Sequence, residues 1–187
     1  MELFETDKNL DSKEFLRHAV SLVITKKNYP IPTPLRLKVE KIATNHLGVK
    51  DLFQLRDRFE GQAYMDNLLL KVSALYILEK ETGLNLTDWD AIKWDKKADF
   101  TSIKIDKVKY RIIPFFYGSL PIIASSIKEP IIFCAIRSYF NHGIICGILE
   151  NYSFDDAEMF ITKPSSSKRK LKKFIGFKFL KDLGKSL

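Results

Sequence analysis

Phe100-Thr101-Ser102-Ile103-Lys104-Ile105 and Val108-Lys109-Tyr110-Arg111-Ile112-Ile113 alternate apolar and polar residues on either side of Asp106-Lys107. Successive side chains of a strand point to opposite faces, so the pattern predicts two strands with one face on a core. Asp106-Lys107 is then a two-residue hairpin turn, although the usual glycine is missing. Downstream the pattern becomes more apolar. Residues 118–121 read as a turn, and 122–127 fit either a helix or a strand. Residues 131–137 and 144–150 read as buried strands joined around Asn141-His142-Gly143.

Upstream of the hairpin the period is helical. Leu68, Leu69, Val72, Leu75, Tyr76 and Leu78 predict a helix over 61–82 that ends at Gly83. They cover more than one face, so this helix should be central and buried on several sides. Before it, Asp11-Ser12-Lys13-Glu14 has capping-box form, with Phe15, Leu16, Ala19, Val20, Leu22 and Val23 at helical spacing. Three prolines in Tyr29-Pro30-Ile31-Pro32-Thr33-Pro34 forbid its continuation. Thr33 then reads as an N-cap with Pro34 at the first helical position. Leu35, Val39, Ile42 and Ala43 are the stripe and Gly48 the stop, and a short helix follows over 51–59. Helices first and strands afterwards argue for an α+β fold: N-terminal helices, then a mixed β-sheet with flanking helices. The division this suggests is a helical region over 1–60, a core over 61–162 and a basic arm over 163–187.

The chain has 187 residues, 45% hydrophobic and 29% charged, which is globular rather than disordered composition. No apolar run reaches the roughly 18 residues of a membrane span. The acidic start Met1-Glu2-Leu3-Phe4-Glu5 lacks the form of a signal peptide. Two cysteines, Cys134 and Cys146, are too few for a disulfide framework or a zinc site of their own. These features exclude secreted, membrane and zinc-finger classes and fit a cytoplasmic protein.

Charge is segregated. The chain carries 31 cations and 23 acids, a net +8. Nine of those cations and only one acid, Asp182, fall within 163–187, which leaves the rest neutral with 22 of each sign. Lys168, Arg169, Lys170, Lys172, Lys173 and Lys178 are candidates for phosphate contacts, since neutralising phosphates releases condensed counterions. Phe174, Phe177 and Phe179 interleave with them. These rings either stack on bases or dock the segment onto the body, and docking is the commoner use of apolar residues in a terminal segment. Ser165-Ser166-Ser167 reads as a flexible joint, with the segment after it partly docked.

A long helix, then Ala98-Asp99-Phe100 opening a hairpin, then apolar strands over 131–137 and 144–149 resemble the PD-(D/E)XK, or restriction-endonuclease-like, nuclease fold. The resemblance covers about half the chain. It implies a helix acid, an aspartate before the hairpin and an acid-x-lysine in the next strand, together holding Mg²⁺ or Mn²⁺ for phosphodiester hydrolysis. On this sequence Asp99 matches the first acid, Glu60 or Asp66 the helix acid, and Lys109 or Arg111 the cation. The pattern departs at Tyr110-Arg111-Ile112-Ile113-Pro114-Phe115, which holds no carboxylate. The resemblance therefore implies either a nuclease-like fold that binds without cutting or a site rebuilt from other residues. Asp99 also fits an ordinary turn or surface-charge position.

Other constellations are weaker. Asp88, Asp90, Asp95 and Asp99 concentrate four carboxylates, but Lys93, Lys96 and Lys97 interrupt them, which favours a solvated mixed-charge loop. His142 fits a hairpin turn, and His18 and His46 sit on separate helices. Cys134 and Cys146 read as buried small hydrophobes, with a Cys146–His142 pair as the alternative. No phosphate-binding glycine motif occurs. The expectation is a protein that binds DNA or RNA through a basic arm on a nuclease-like core, active with Mg²⁺ or Mn²⁺ or inactive. The alternative is a protein-interaction subunit whose tail contacts an acidic partner.

Overall fold

The computed structural model describes residues 26–58, 60–89, 99–117, 122–124, 127–137, 139–150, 158–161, 171–174 and 180–183. The expected first helix over 12–23, with His18, and the Ser165-Ser166-Ser167 joint lie outside the described residues. The class is α+β. Helices α1 (Thr33–Leu47), α2 (Leu52–Asp57) and α3 (Gly61–Thr82) accompany eight strands. These are β1 (Tyr29–Pro30), β2 (Ser102–Ile105), β3 (Val108–Phe116), β4 (Ile122–Ala124), β5 (Ile131–Ile136), β6 (His142–Leu149), β7 (Glu158–Ile161) and β8 (Leu171–Phe174).

The helix boundaries follow local chemistry. Pro34 sits in the first turn of α1, where its missing N–H costs nothing. The helix starts one residue earlier than the sequence pattern predicts: Pro32 takes the N-cap position, and its carbonyl accepts from Leu35 and Arg36. Gly48 ends α1 with φ 62, and Gly83 ends α3 with φ 73, the left-handed conformation that glycine adopts without Cβ strain. Asp51 caps α2 by accepting from the Gln54 amide at 2.9 Å. On α3 the consecutive residues Val72, Ser73, Ala74 and Leu75 are all buried, so the helix has no wet face at that level. It packs on β3, β5 and β6, while α1 and α2 pack on it in turn.

The main sheet has the order β1-β6-β5-β3-β2, antiparallel except for β3 beside β5. Asp106 and Lys107 turn the β2–β3 hairpin with φ 46 and 71, so both central residues take the left-handed region without a glycine. Every residue of β5 is buried, which explains its unbroken apolar run: a central strand covered on both faces needs no polar alternation. One face carries Tyr110, Ile112, Ile132, Cys134, Ile136, Ile145 and Ile148 against the helices. The other buries Phe115, Ile131, Phe133, Ala135, Ile144, Cys146 and Leu149, with Ile113, Tyr117, Ile127 and Leu180 packed on them. Burying Phe133 alone contributes about 1.5–3 kcal/mol.

A β-bulge interrupts the β5–β6 ladder: Phe133 pairs with Gly147, but Cys134 already pairs with Ile145. The extra residue switches the facing of β6, so Cys146 belongs to the second face and Ile148 to the helix face. β4, β8 and β7 make a separate antiparallel sheet in that order, with β8 central. The chain then returns to the main sheet, where Lys181 and Ile148 exchange two backbone hydrogen bonds of 2.9 Å. Leu183 is buried in the helix-side core. Within 163–187, β8 thus pairs with β4 and β7, and 180–183 docks on the main sheet through Lys181 and Leu183; Phe177 and Phe179, expected to dock, lie outside the described residues. Among the described residues, no helix is long and apolar enough to cross a membrane.

Candidate functional site around Asp99

Asp99 stands three residues before β2, and its own side chain organises the approach. Its Oδ1 accepts from the Thr101 amide at 3.0 Å and from the Thr101 hydroxyl at 2.5 Å. Its Oδ2 receives Arg111 Nη1 at 2.8 Å, and the same Nη1 donates to the Thr101 oxygen at 3.0 Å. Arg111 reaches it because Ser102 pairs with Arg111 across the hairpin. Partial burial works against ionisation of Asp99. The Thr101 hydrogen bonds and the Arg111 charge outweigh it, and its carboxyl lies below its ordinary pKa of 3.8.

Lys109 lies two residues before Arg111 on β3, hence on the same face. Its ammonium meets Glu129 at 3.1 Å. Glu129 is lowered by its own backbone N–H, by the Lys109 bond and by the Lys128 amide. Both cations that the resemblance assigned to the site therefore face a carboxylate. The sequence did not single out Glu129, because nothing marks it until β3 and β5 run parallel and bring the start of β5 beside Lys109. Farther along that face, Arg111 Nε and the Tyr117 hydroxyl are buried without a hydrogen-bond partner among the described residues.

The other expected acids are elsewhere. A cleft of about 450 Å³ is lined by Asp99 together with Leu75 of α3, Asn85, Leu86, Thr87, Phe100, Ser102, Ile103 and Lys104; Leu75 is the α3 residue that lines it. Asp66 lies nine residues earlier on α3, about 13 Å along the axis at 1.5 Å per residue, and Glu60, before the helix, about 22 Å. Asp66 accepts from Gln62 at 2.8 Å on the same helix. Among the described residues, no group of three or more His, Cys, Asp or Glu side chains is arranged to hold a metal ion. With a guanidinium on Asp99 and no such group of three around it, the described residues do not fit Mg²⁺ or Mn²⁺ coordination, and they support no metal-dependent step.

A carboxylate of α3 near this end has a different task. Glu79 Oε1 accepts from the amides of Leu86 and Thr87 at 2.9 and 2.8 Å, and its Oε2 from the Trp89 indole at 2.5 Å. Lys38 of α1 donates to the Trp89 carbonyl, and Trp89 meets Tyr76 edge-on at 6.3 Å. Glu79 thus pins the chain that leads from α3 toward Asp99. Of the acidic loop, Asp90 and Asp95 with Lys93, Lys96 and Lys97 lie outside the described residues.

The histidine and cysteine alternatives resolve structurally. His142 is not in the turn but opens β6, paired with Pro30 of β1, and its Nδ1 is buried without a partner among the described residues. Four strand positions separate it from Cys146, about 13 Å, too far to share a proton. Cys134 and Cys146 face opposite sides of the sheet. Burial raises the Cys134 thiol well above its ordinary value and pushes Cys146 up to about 12, which leaves neither a nucleophile near neutral pH. His46 Nδ1 lies 2.7 Å from the Tyr64 hydroxyl between α1 and α3.

Of the basic candidates, Lys172 and Lys173 fall in β8. Lys168, Arg169, Lys170 and Lys178 lie outside the described residues. Lys181 pairs with Glu150 at 3.0 Å, and Lys26 bonds Asp182. The chain matches no known family model, no curated protein and no solved structure.

Proposed function

We propose that this protein binds nucleic acid without cutting it, through the basic segment 163–187 carried on an α+β core that resembles a nuclease. The observation that carries the reading is the concentration of the whole net charge, +8, in a segment tethered at β8 and at Lys181–Ile148. Tethering lowers the entropy lost when such a segment meets a phosphate backbone, and each neutralised phosphate adds counterion release. The pairing of Asp99 with Arg111 favours binding over hydrolysis, because the carboxylate that would hold a metal already has a cation.

The test is a titration of labelled duplex and single-stranded DNA and RNA over a salt series, with Mn²⁺ present. The full chain is compared with the Lys168→Gln, Arg169→Gln, Lys170→Gln variant. Substitution is preferred to truncation at Thr162, which would also remove Leu183 from the core. The expected result is uncut nucleic acid and a log–log salt slope that falls by about 2–3 in the variant, roughly 0.7–0.9 for each phosphate that is no longer neutralised. Absence of binding by the full chain, or a slope unchanged in the variant, overturns the reading and redirects attention to an acidic protein partner. Cutting that depends on Mn²⁺ and disappears in Asp99→Ala would restore the active nuclease instead.

A further inference from the structure

The turn between β5 and β6 is held from three sides. The Arg137 amide donates to the His142 carbonyl at 2.9 Å, the Phe140 amide to the Arg137 carbonyl at 2.8 Å, and the Ile31 amide to the Asn141 carbonyl at 2.9 Å. Within it Phe140 has φ 51, a left-handed conformation that is uncommon for a bulky residue and persists only where the surroundings impose it. The imposing contact is the core: the Phe140 ring is buried and meets Phe116 edge-on at 5.2 Å.

The consequence falls on the residue before it. With Phe140 anchored inward, Tyr139 stands outward and is 79% exposed. Its carbonyl accepts from Arg36 Nη1 of α1 at 3.4 Å, and Arg137, two residues away, is exposed as well. Arg36 also faces Glu40 at 3.7 Å. A solvent-facing aromatic ring, with the Arg36 guanidinium on its own carbonyl, offers a π-face for a base and a cation for an adjoining phosphate. In a duplex the base faces are already stacked, so only a single strand can use the ring.

We infer that Tyr139 is a nucleobase-stacking position for single-stranded nucleic acid, with Arg36 as its phosphate-side partner. This deepens the nucleic-acid reading above and rests on it. The basic segment would supply affinity for any phosphate backbone, and Tyr139 would supply the preference for unpaired strands.

The experiment measures Kd of the full chain and of Tyr139→Ala and Tyr139→Phe for short single-stranded DNA, single-stranded RNA and duplex DNA at fixed salt. Because a base–aromatic stack is worth about 1–3 kcal/mol, Tyr139→Ala should weaken binding to DNA or RNA single strands about 5- to 150-fold. Duplex binding and the salt slope should not change, and Tyr139→Phe should stay within about 2-fold of the parent, since the ring and not the hydroxyl stacks. The arm that loses more, DNA or RNA, identifies the preferred polymer. Single-strand binding by Tyr139→Ala equal to the parent's overturns the inference while leaving the nucleic-acid reading intact, as does an equal loss on duplex. No binding by the parent to any of the three probes overturns both.

Discussion

Asp99 and Arg111 form an ion pair of 2.8 Å across the β2–β3 hairpin, and Thr101 bridges the two by donating to the carboxylate and accepting from the guanidinium. The pair lies where the nuclease resemblance expects an acid that holds metal and a strand that supplies acid-x-lysine. The Asp99 carboxylate thus already has a cation, the Arg111 guanidinium, beside it.

The Asp99 side chain is 48% exposed, so solvent screens the pair, and its coupling should be about 0.5–1 kcal/mol in a double-mutant cycle of Asp99→Asn and Arg111→Gln. Its folded pKa is depressed below 3.8, so the unfolded chain takes up the proton first as the solution is acidified. The stabilisation is therefore fully present above pH 3.8 and is lost as pH falls through the folded value. Denaturant melts should give a parent-minus-Asp99→Asn difference that is constant above about pH 5 and shrinks toward pH 3. A difference that grows on acidification would contradict the assignment.

Glu79 accepts three hydrogen bonds from the segment after α3. Glu79→Ala leaves two backbone amides and an indole N–H to find other partners and should cost about 1–3 kcal/mol. At this chain length that is a fall in Tm of about 2–4 °C per kcal/mol. Hydrogen exchange at the Leu86 and Thr87 amides should speed up more than in β5, because the opening is local. Unchanged exchange at those two amides would show that Glu79 does not hold the segment.

Gly147 has φ 148, and a Cβ there would meet the Lys181 carbonyl at 2.6 Å and Leu180 Cβ at 2.9 Å. Gly147→Ala must displace the 180–183 segment or strain β6, for about 1–3 kcal/mol. Leu183→Ala, which removes a buried side chain from the same segment, should cost about 2–5 kcal/mol. Both variants should expose the Ile148 and Lys181 amides to exchange, while the β2–β3 hairpin keeps its protection. If neither amide responds, the return of the chain to β6 contributes nothing to stability.

A water-soluble thiol reagent at pH 8 should label neither Cys134 nor Cys146 until the protein is denatured, and both afterwards. Both folded pKa values are raised above 9.0, so the stability they confer is complete below pH 9 and is lost as pH rises beyond it. Cys146→Ala should flatten the alkaline limb of the stability profile. Rapid labelling of the native protein would refute the burial of both thiols.

Local physics made much of the framework legible. Gly48 and Gly83 end their helices where glycine alone takes positive φ cheaply, and Leu69, Val72 and Leu78 marked α3 as central. The alternation around Asp106-Lys107 marked the hairpin, and the unbroken apolar run of β5 marked a strand buried on both faces. Each of these depends on near neighbours in the chain, so the residues themselves sufficed. Pro30, by contrast, pairs at the sheet edge with His142, where the missing N–H does no harm; a run of prolines read only as a helix breaker concealed β1.

What tertiary structure alone decided is which charges meet and which ring stays outside. Asp99 binds Arg111 twelve positions away, Lys109 finds Glu129, and Lys181 returns to Ile148, all through strand register that no local window contains. Phe140 turns inward and Tyr139 outward because the core accepts one of two adjacent rings, and the pleat and the turn choose between them. The residue types specified the available chemistry; long-range pairing of β3, β5 and β6 determined its partners.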